Sequence, residues 1–166
     1  MTEIPPRRAT RFIDRVSGVS AGVGAAPTEA DAMAMSVVDR LMATDAFSQW
    51  LGVEVLEVAD KQAVIRMTVR PEMLNGFGFA HGGIVFSFAD SAHAFCSNSS
   101  GEISVAIDCS ISYPAAIRAG DVLTATAVEQ ASSNRLAYSE ITVRNQDDIV
   151  VGLFRGTVYR TRKPLL

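Results

Sequence analysis

Residues 84–96 limit the folding of this chain more than any other stretch. They read Ile-Val-Phe-Ser-Phe-Ala-Asp-Ser-Ala-His-Ala-Phe-Cys and follow directly on His81-Gly82-Gly83. A helix that is apolar nearly all round must be buried over most of its surface. Asp90 sits inside it among Phe86, Phe88, Ala89, Ala92 and Phe95, where a carboxylate is costly unless it has a partner or a task. The helix start, with two successive glycines, offers bare backbone N–H groups and a positive dipole end. An acid and an anion-stabilising turn on one element are the parts that acyl transfer requires.

The flanking periodicities supply the wrapping. A three- and four-residue spacing of Met35, Val38, Leu41 and Met42, continuing to Phe47 and Leu51, predicts a helical region from Ala34. Val53, Val55 and Val58 alternate with acids, and Ala63, Ile65, Met67 and Val69 continue the alternation after a turn at Asp60-Lys61. This is a hairpin that Pro71 ends. The central helix runs from about Gly82 to Asn98. Four strand-like runs follow: 104–113, 121–130, 136–145 and 149–161. The expected class is α+β, with one long hydrophobic helix wrapped by a curled antiparallel sheet of about six strands. Such a sheet leaves a strand edge open, and pairing across a two-fold axis is the usual remedy.

Residues 1–34 hold Pro5, Pro6, Pro27 and several glycines without sustained period, apart from a short helical possibility at 9–16. They are expected to form a flexible extension ahead of a domain spanning 35–166. A net charge of −3 gives no basic face for nucleic acid. No apolar run reaches the roughly 18 residues of a membrane span, and Asp14 and Arg15 interrupt any leader-like stretch. The cytoplasm is the expected compartment. Cys96 and Cys109 make neither a disulfide framework nor, without partner histidines, a zinc pattern; both are expected as reduced core thiols, and no metal is expected.

Asp90 therefore reads either as a structural acid paired with His93, one turn on, or as a desolvated base or nucleophile. The Gly82 amide is the favoured oxyanion donor, with Gly83 beside it, and the glycines let a carbonyl approach. His81 reads as a turn-fixing residue or a substrate contact. Asn75, in a Gly-flanked loop, is a turn residue or an amide that orients water or a carbonyl. Gly82 and Asp90 are eight residues apart, about 12 Å along one helix axis. A reacting carbonyl carbon needs the donor and the attacking group each roughly 3 Å away. One helix cannot provide both, so a site built from these residues requires at least a homodimer.

Arg70-Pro-Glu-Met-Leu-Asn-Gly76, His81-Gly-Gly83, Phe86-Ser-Phe-Ala-Asp-Ser91, Asn98-Ser99, Gly120-Asp-Val-Leu-Thr-Ala125 and Phe154-Arg-Gly156 together make residues 35–161 resemble the hotdog-fold acyl-CoA thioesterases of the PaaI type, the hydroxyphenylacetyl-CoA thioesterases of phenylacetate degradation. His-Gly-Gly is widespread among hotdog proteins. The nine-residue step from His81 to Asp90, with Asn75 six residues before His81, is the more specific part. The resemblance implies hydrolysis of an aryl- or arylacetyl-CoA thioester, with no cofactor beyond the CoA of the substrate. It implies Asp90 as nucleophile or general base, Gly82 as oxyanion donor, Asn75 and His81 as orienting groups, and a homotetramer made as a dimer of dimers. Phe77 stands where relatives often carry His, and His93 where Phe is usual. A helpful strand hydroxyl of some relatives falls here at Ala106. Gly83, Phe77, Ser91 and Ala106 are expected as substrate-binding residues. The CoA phosphates call for cations, with Arg118 and Arg135 the leading candidates and Arg155, Arg160, Arg162 and Lys163 behind them. Two other readings fit the residues: an acyl-CoA-binding protein without turnover, and an enoyl-CoA hydratase using an Asp90–His93 pair.

Overall fold

The structure, a computed structural model, describes residues 28–166. The helical possibility at 9–16 lies outside that range. The first helix, α1 (Glu29–Thr44), starts earlier than its hydrophobic spacing suggests. Thr28 caps it, accepting from the Asp31 amide while the Asp31 carboxylate accepts from the Thr28 amide. This reciprocal pair satisfies two orphan donors and fixes the helix start. Residues 29–34 thus belong to a helix rather than to the expected extension. Asp45 accepts from the Ser48 amide and opens the short α2 (Ala46–Leu51), which ends on Gly52 in the left-handed region, φ 77°.

The six strands are β1 (Glu54–Ala59), β2 (Gln62–Thr68), β3 (Glu102–Ser112), β4 (Val122–Ser132), β5 (Leu136–Arg144) and β6 (Val150–Pro164). They form one antiparallel sheet in the order β1-β2-β4-β5-β6-β3. Between β2 and β3 the chain makes a 3₁₀ turn (Pro71–Met73), a loop, and α3 (Gly82–Asn98). The sheet curls around α3. Phe88, Ala89, Ala92, Phe95 and Cys96 meet Ile65, Met67, Leu123, Ala125, Ile141 and Phe154 in one core. Alternation along β5, and along β4 as far as Val128, turns every second side chain inward. Among the described residues no helix is long and apolar enough to cross a membrane.

Two features of this wrapping matter for the site. The sheet does not close over α3: Gly83 is exposed, and Phe86, Ser87, Asp90 and Ala94 are only half-buried, a continuous stripe at helical spacing. Strand β3 is also an edge, pairing with β6 alone, and it leaves Val105 52% and Ile107 59% exposed.

Candidate functional site

The loop before α3 is held from several directions. Asn75 Oδ1 accepts from the amides of Phe77 (2.9 Å) and Phe79 (3.3 Å), and the Asn75 amide donates to the Phe79 carbonyl. The side-chain oxygen thus shapes the turn, as its Gly-flanked position suggested, and leaves the Nδ2 donors available. Phe77 projects from the turn 87% exposed. The Ala80 amide donates to Ile117 O and the His81 amide to Met73 O, pinning the entry to the helix between two neighbouring segments.

His81 is the N-cap of α3. Its Nδ1 accepts from the Gly83 amide at 2.9 Å. In a neutral ring the proton then sits on Nε2, which is left as a donor. The Gly82 N–H, first of the helix, has no acceptor among the described residues, as expected of a first-turn amide. Tyr113, just beyond β3, donates its hydroxyl to Gly82 O at 2.8 Å. A Cβ at 82 would come within 3.2 Å of the Tyr113 ring and hydroxyl, so any larger residue there would have to displace the tyrosine by a few tenths of an ångström. Gly82, Val85, Tyr113, Phe79, Ala80 and residues 114–117 line a cleft of about 370 Å³, within the size range of small-molecule pockets.

Asp90 lies two turns along the open stripe. Burial raises its pKa above the ordinary carboxylate range, opposed by a hydrogen bond from Cys109, whose Sγ is 3.8 Å from Oδ1. Burial first, and then the charges of Asp90 and Asp108, push the Cys109 thiol up to about 11, so at neutral pH it is an S–H donor. A carboxylate that is part-desolvated, open on one side and held by a weak donor is a stronger base than a solvated one.

Comparisons with known proteins identify the family. Residues 77–151 match the sequence profile of the thioesterase superfamily. The chain is 40% identical over 116 residues to the acyl-coenzyme A thioesterase PaaI of Escherichia coli K12, covering 70% of this chain and 83% of that one.

The chain belongs to the thioesterase superfamily, as a hotdog thioesterase of the PaaI type.

Solved structures place the thioesterase fold equally firmly. The E. coli PaaI protein from the phenylacetic acid degradation operon superposes with a TM-score of 0.79 at 35% identity, over 81% of this chain and 97% of that one. A Streptococcus mutans protein solved with acetyl-CoA bound gives 0.66 at 26% identity, over 68% and 90% of the two chains.

Within this thioesterase, several sequence expectations are revised. Ser91 does not face the stripe. It is buried, and its hydroxyl shares a 2.8 Å hydrogen bond with Ser48, which packs α2 on α3. Ala106 is exposed on β3 opposite Val158; a bulge between Ala106 and Asp108 changes the parity of the strand, so that Cys109, opposite Gly156, and not Asp108 shares the face of Ala106 and turns toward the helix. Cys109 is therefore a site residue and not the core thiol expected, whereas Cys96 is fully buried and bonded to Lys61 O. His93 is not paired with Asp90. It is buried against Phe154 and Gly156, and neither ring nitrogen has a partner.

The cations also separate. Arg160 is tied to the buried Glu129 at 2.7 Å, and Arg155 pairs with Glu140. Arg135 stacks on Tyr159 and donates to Arg160 O near the start of β3, the opposite end of that strand from Tyr113 and the cleft. Arg118 stacks on Phe79 at the cleft wall, and among the described residues no carboxylate pairs with its guanidinium. Among the described residues no group of three His, Cys, Asp or Glu side chains could hold a metal ion. Tyr113 and Cys109 are the site residues that sequence reasoning missed. Both are set by β3 geometry, and the bulge that aims Cys109 has no clear signal in the residues.

Proposed function

We propose that this thioesterase hydrolyses acyl-CoA thioesters, with an aryl or arylacetyl group as the acyl class, in a site shared by two subunits. The carrying observation is Asp90: a carboxylate of raised pKa on the uncovered stripe of α3, about two turns beyond the Gly82 amide that would hold an oxyanion. Asp90 of one subunit attacks the thioester carbon, or activates the water that does, while the Gly82 amide of the other holds the oxyanion. Water supplies the oxygen of the released acid, and the sulfur leaves as the CoA thiol. The His81 Nε2–H and the Asn75 amide orient carbonyl and water. Arg118, at the cleft mouth, is the cation best placed for a CoA phosphate.

Several observations support a dimer. The exposed stripe on α3, the open β3 edge with Val105 and Ile107, and the roughly 12 Å scale of the Gly82–Asp90 step all call for a second chain. Tyr138, Leu153 and Tyr159, exposed on the outer sheet face, offer a further apolar surface for a dimer of dimers. The acyl class rests on Phe79 and Tyr113, which line the cleft, on Phe77 exposed in the turn before it, and on the similarity to PaaI.

The test is release of free thiol across a panel of acyl-CoA esters by the wild type and by Asp90→Asn. Loss of about a hundred- to ten-thousandfold in kcat, with the fold intact by circular dichroism, is the expected result. Near-normal turnover by the variant ends the assignment. Tight binding of acyl-CoA by the wild type without thiol release would instead mark a binding protein. ¹⁸O-water single-turnover labelling separates direct attack, which places label in Asp90, from base catalysis.

A further inference from the structure

We propose that Tyr113 is a positioning residue of this site: through the Gly82–Gly83 peptide it holds His81 in the orientation and tautomer that present Nε2–H to the substrate. The inference deepens the hydrolase reading above and rests on it for its effect on turnover.

Two hydrogen bonds, joined by one peptide unit, form a chain. The Tyr113 hydroxyl donates to Gly82 O at 2.8 Å, and the same peptide unit carries the Gly83 N–H, which donates to His81 Nδ1 at 2.9 Å. A hydrogen bond to a peptide carbonyl polarises that peptide and strengthens donation from its N–H, so the two bonds reinforce one another. Because Nδ1 is occupied as an acceptor, the neutral imidazole keeps its proton on Nε2. The steric evidence points the same way. The Tyr113 ring fills the space over Gly82, and a Cβ at Gly83 would come within 3.0 Å of His81 Nδ1, so both glycines are held at close quarters to the groups they connect. Tyr113 also lines the cleft, and its hydroxyl is committed to the turn instead of to solvent although the residue is 48% exposed.

The experiment is Tyr113→Phe, which keeps the ring and removes the bond. Two readouts are taken. Steady-state hydrolysis of the best acyl-CoA substrate should show kcat lowered by about 3- to 10-fold, the scale of one hydrogen bond, with KM changed less than kcat. Long-range ¹H–¹⁵N spectra in a His93→Phe background, where His81 is the sole histidine of the chain, should show distinct acceptor and protonated nitrogens while Tyr113 is present. In the Tyr113→Phe variant the two shifts should move toward a common average. An unchanged His81 tautomer overturns the proposal even if kcat falls, because the residue would then act by packing alone. An unchanged kcat overturns it as well. Failure of the hydrolase reading would appear separately, as an active Asp90→Asn variant, while the tautomer readout stands without any turnover.

Discussion

Replacing His93 by Phe should both stabilise this protein at neutral pH and remove much of its sensitivity to mild acid. His93 is 1% exposed, packs on Phe154, and has no hydrogen-bond partner at either ring nitrogen. A buried polar group left unpaired costs about 1–3 kcal/mol, so an apolar ring of similar shape should gain on the order of 1 kcal/mol at pH 7. The larger effect is on pH dependence. Burial lowers the His93 pKa from 6.5 to about 4. Between those values the unfolded ring takes up a proton that the folded ring refuses, so the unfolded state binds more protons and stability falls as pH falls. At 1.36 kcal/mol per pKa unit the loss from pH 7 to pH 4 approaches roughly 3 kcal/mol, or about 6–12 °C in Tm for a chain of this size. The assay is urea or thermal unfolding at several pH values and fixed protein concentration, comparing wild type with His93→Phe. The difference between the two curves removes the titration of all shared groups. A gap between the curves that stays constant from pH 7 to pH 4 would refute the reasoning, since it would mean that His93 is protonated as readily in the folded state as in the unfolded one.

Other expectations follow from neighbouring contacts. Gly156→Ala should destabilise by about 1–3 kcal/mol through overpacking, because a Cβ there lands 2.4 Å from His93 Nε2; a double-mutant cycle with His93→Ala should recover part of that loss. Cys109→Ala removes the bond that holds the Asp90 pKa down, so the acid limb of the kcat/KM profile should move to higher pH. Cys109→Ser, a stronger donor, should move it lower; no movement in either variant would show that the thiol does not act on Asp90.

Much of this architecture was legible in the residues. A helix apolar on most sides demands wrapping, and the spacing of Ala63, Ile65 and Met67 marked one strand of the sheet that supplies it. Asp90, Gly82 and His81 stood out because a lone acid and a glycine pair are chemically conspicuous on such an element. The rest depended on three-dimensional detail. Cys109 faces Asp90 only because of the β3 bulge, which no turn residue announces. Tyr113 reaches Gly82 across 31 residues of sequence. The start of α1 was misplaced because hydrophobic spacing begins at residue 34, while the actual start signal is the polar pair Thr28 and Asp31. Ser91 lies one residue from Asp90 but about 100° round the helix, which is enough to turn it from the stripe into packing with Ser48.

The shared site is tested most directly by mixing two inactive chains. Asp90→Asn lacks the attacking group, and Gly82→Val drives a side chain into Tyr113 and obstructs the amide. If each site takes its acid from one subunit and its amide from the other, half of an equal mixture refolded together is mixed dimers, and each carries one intact site, so about a quarter of wild-type activity should return. Activity no greater than the sum of the two parents, with mixed dimers verified by mass, would contradict a site built across the two-fold axis.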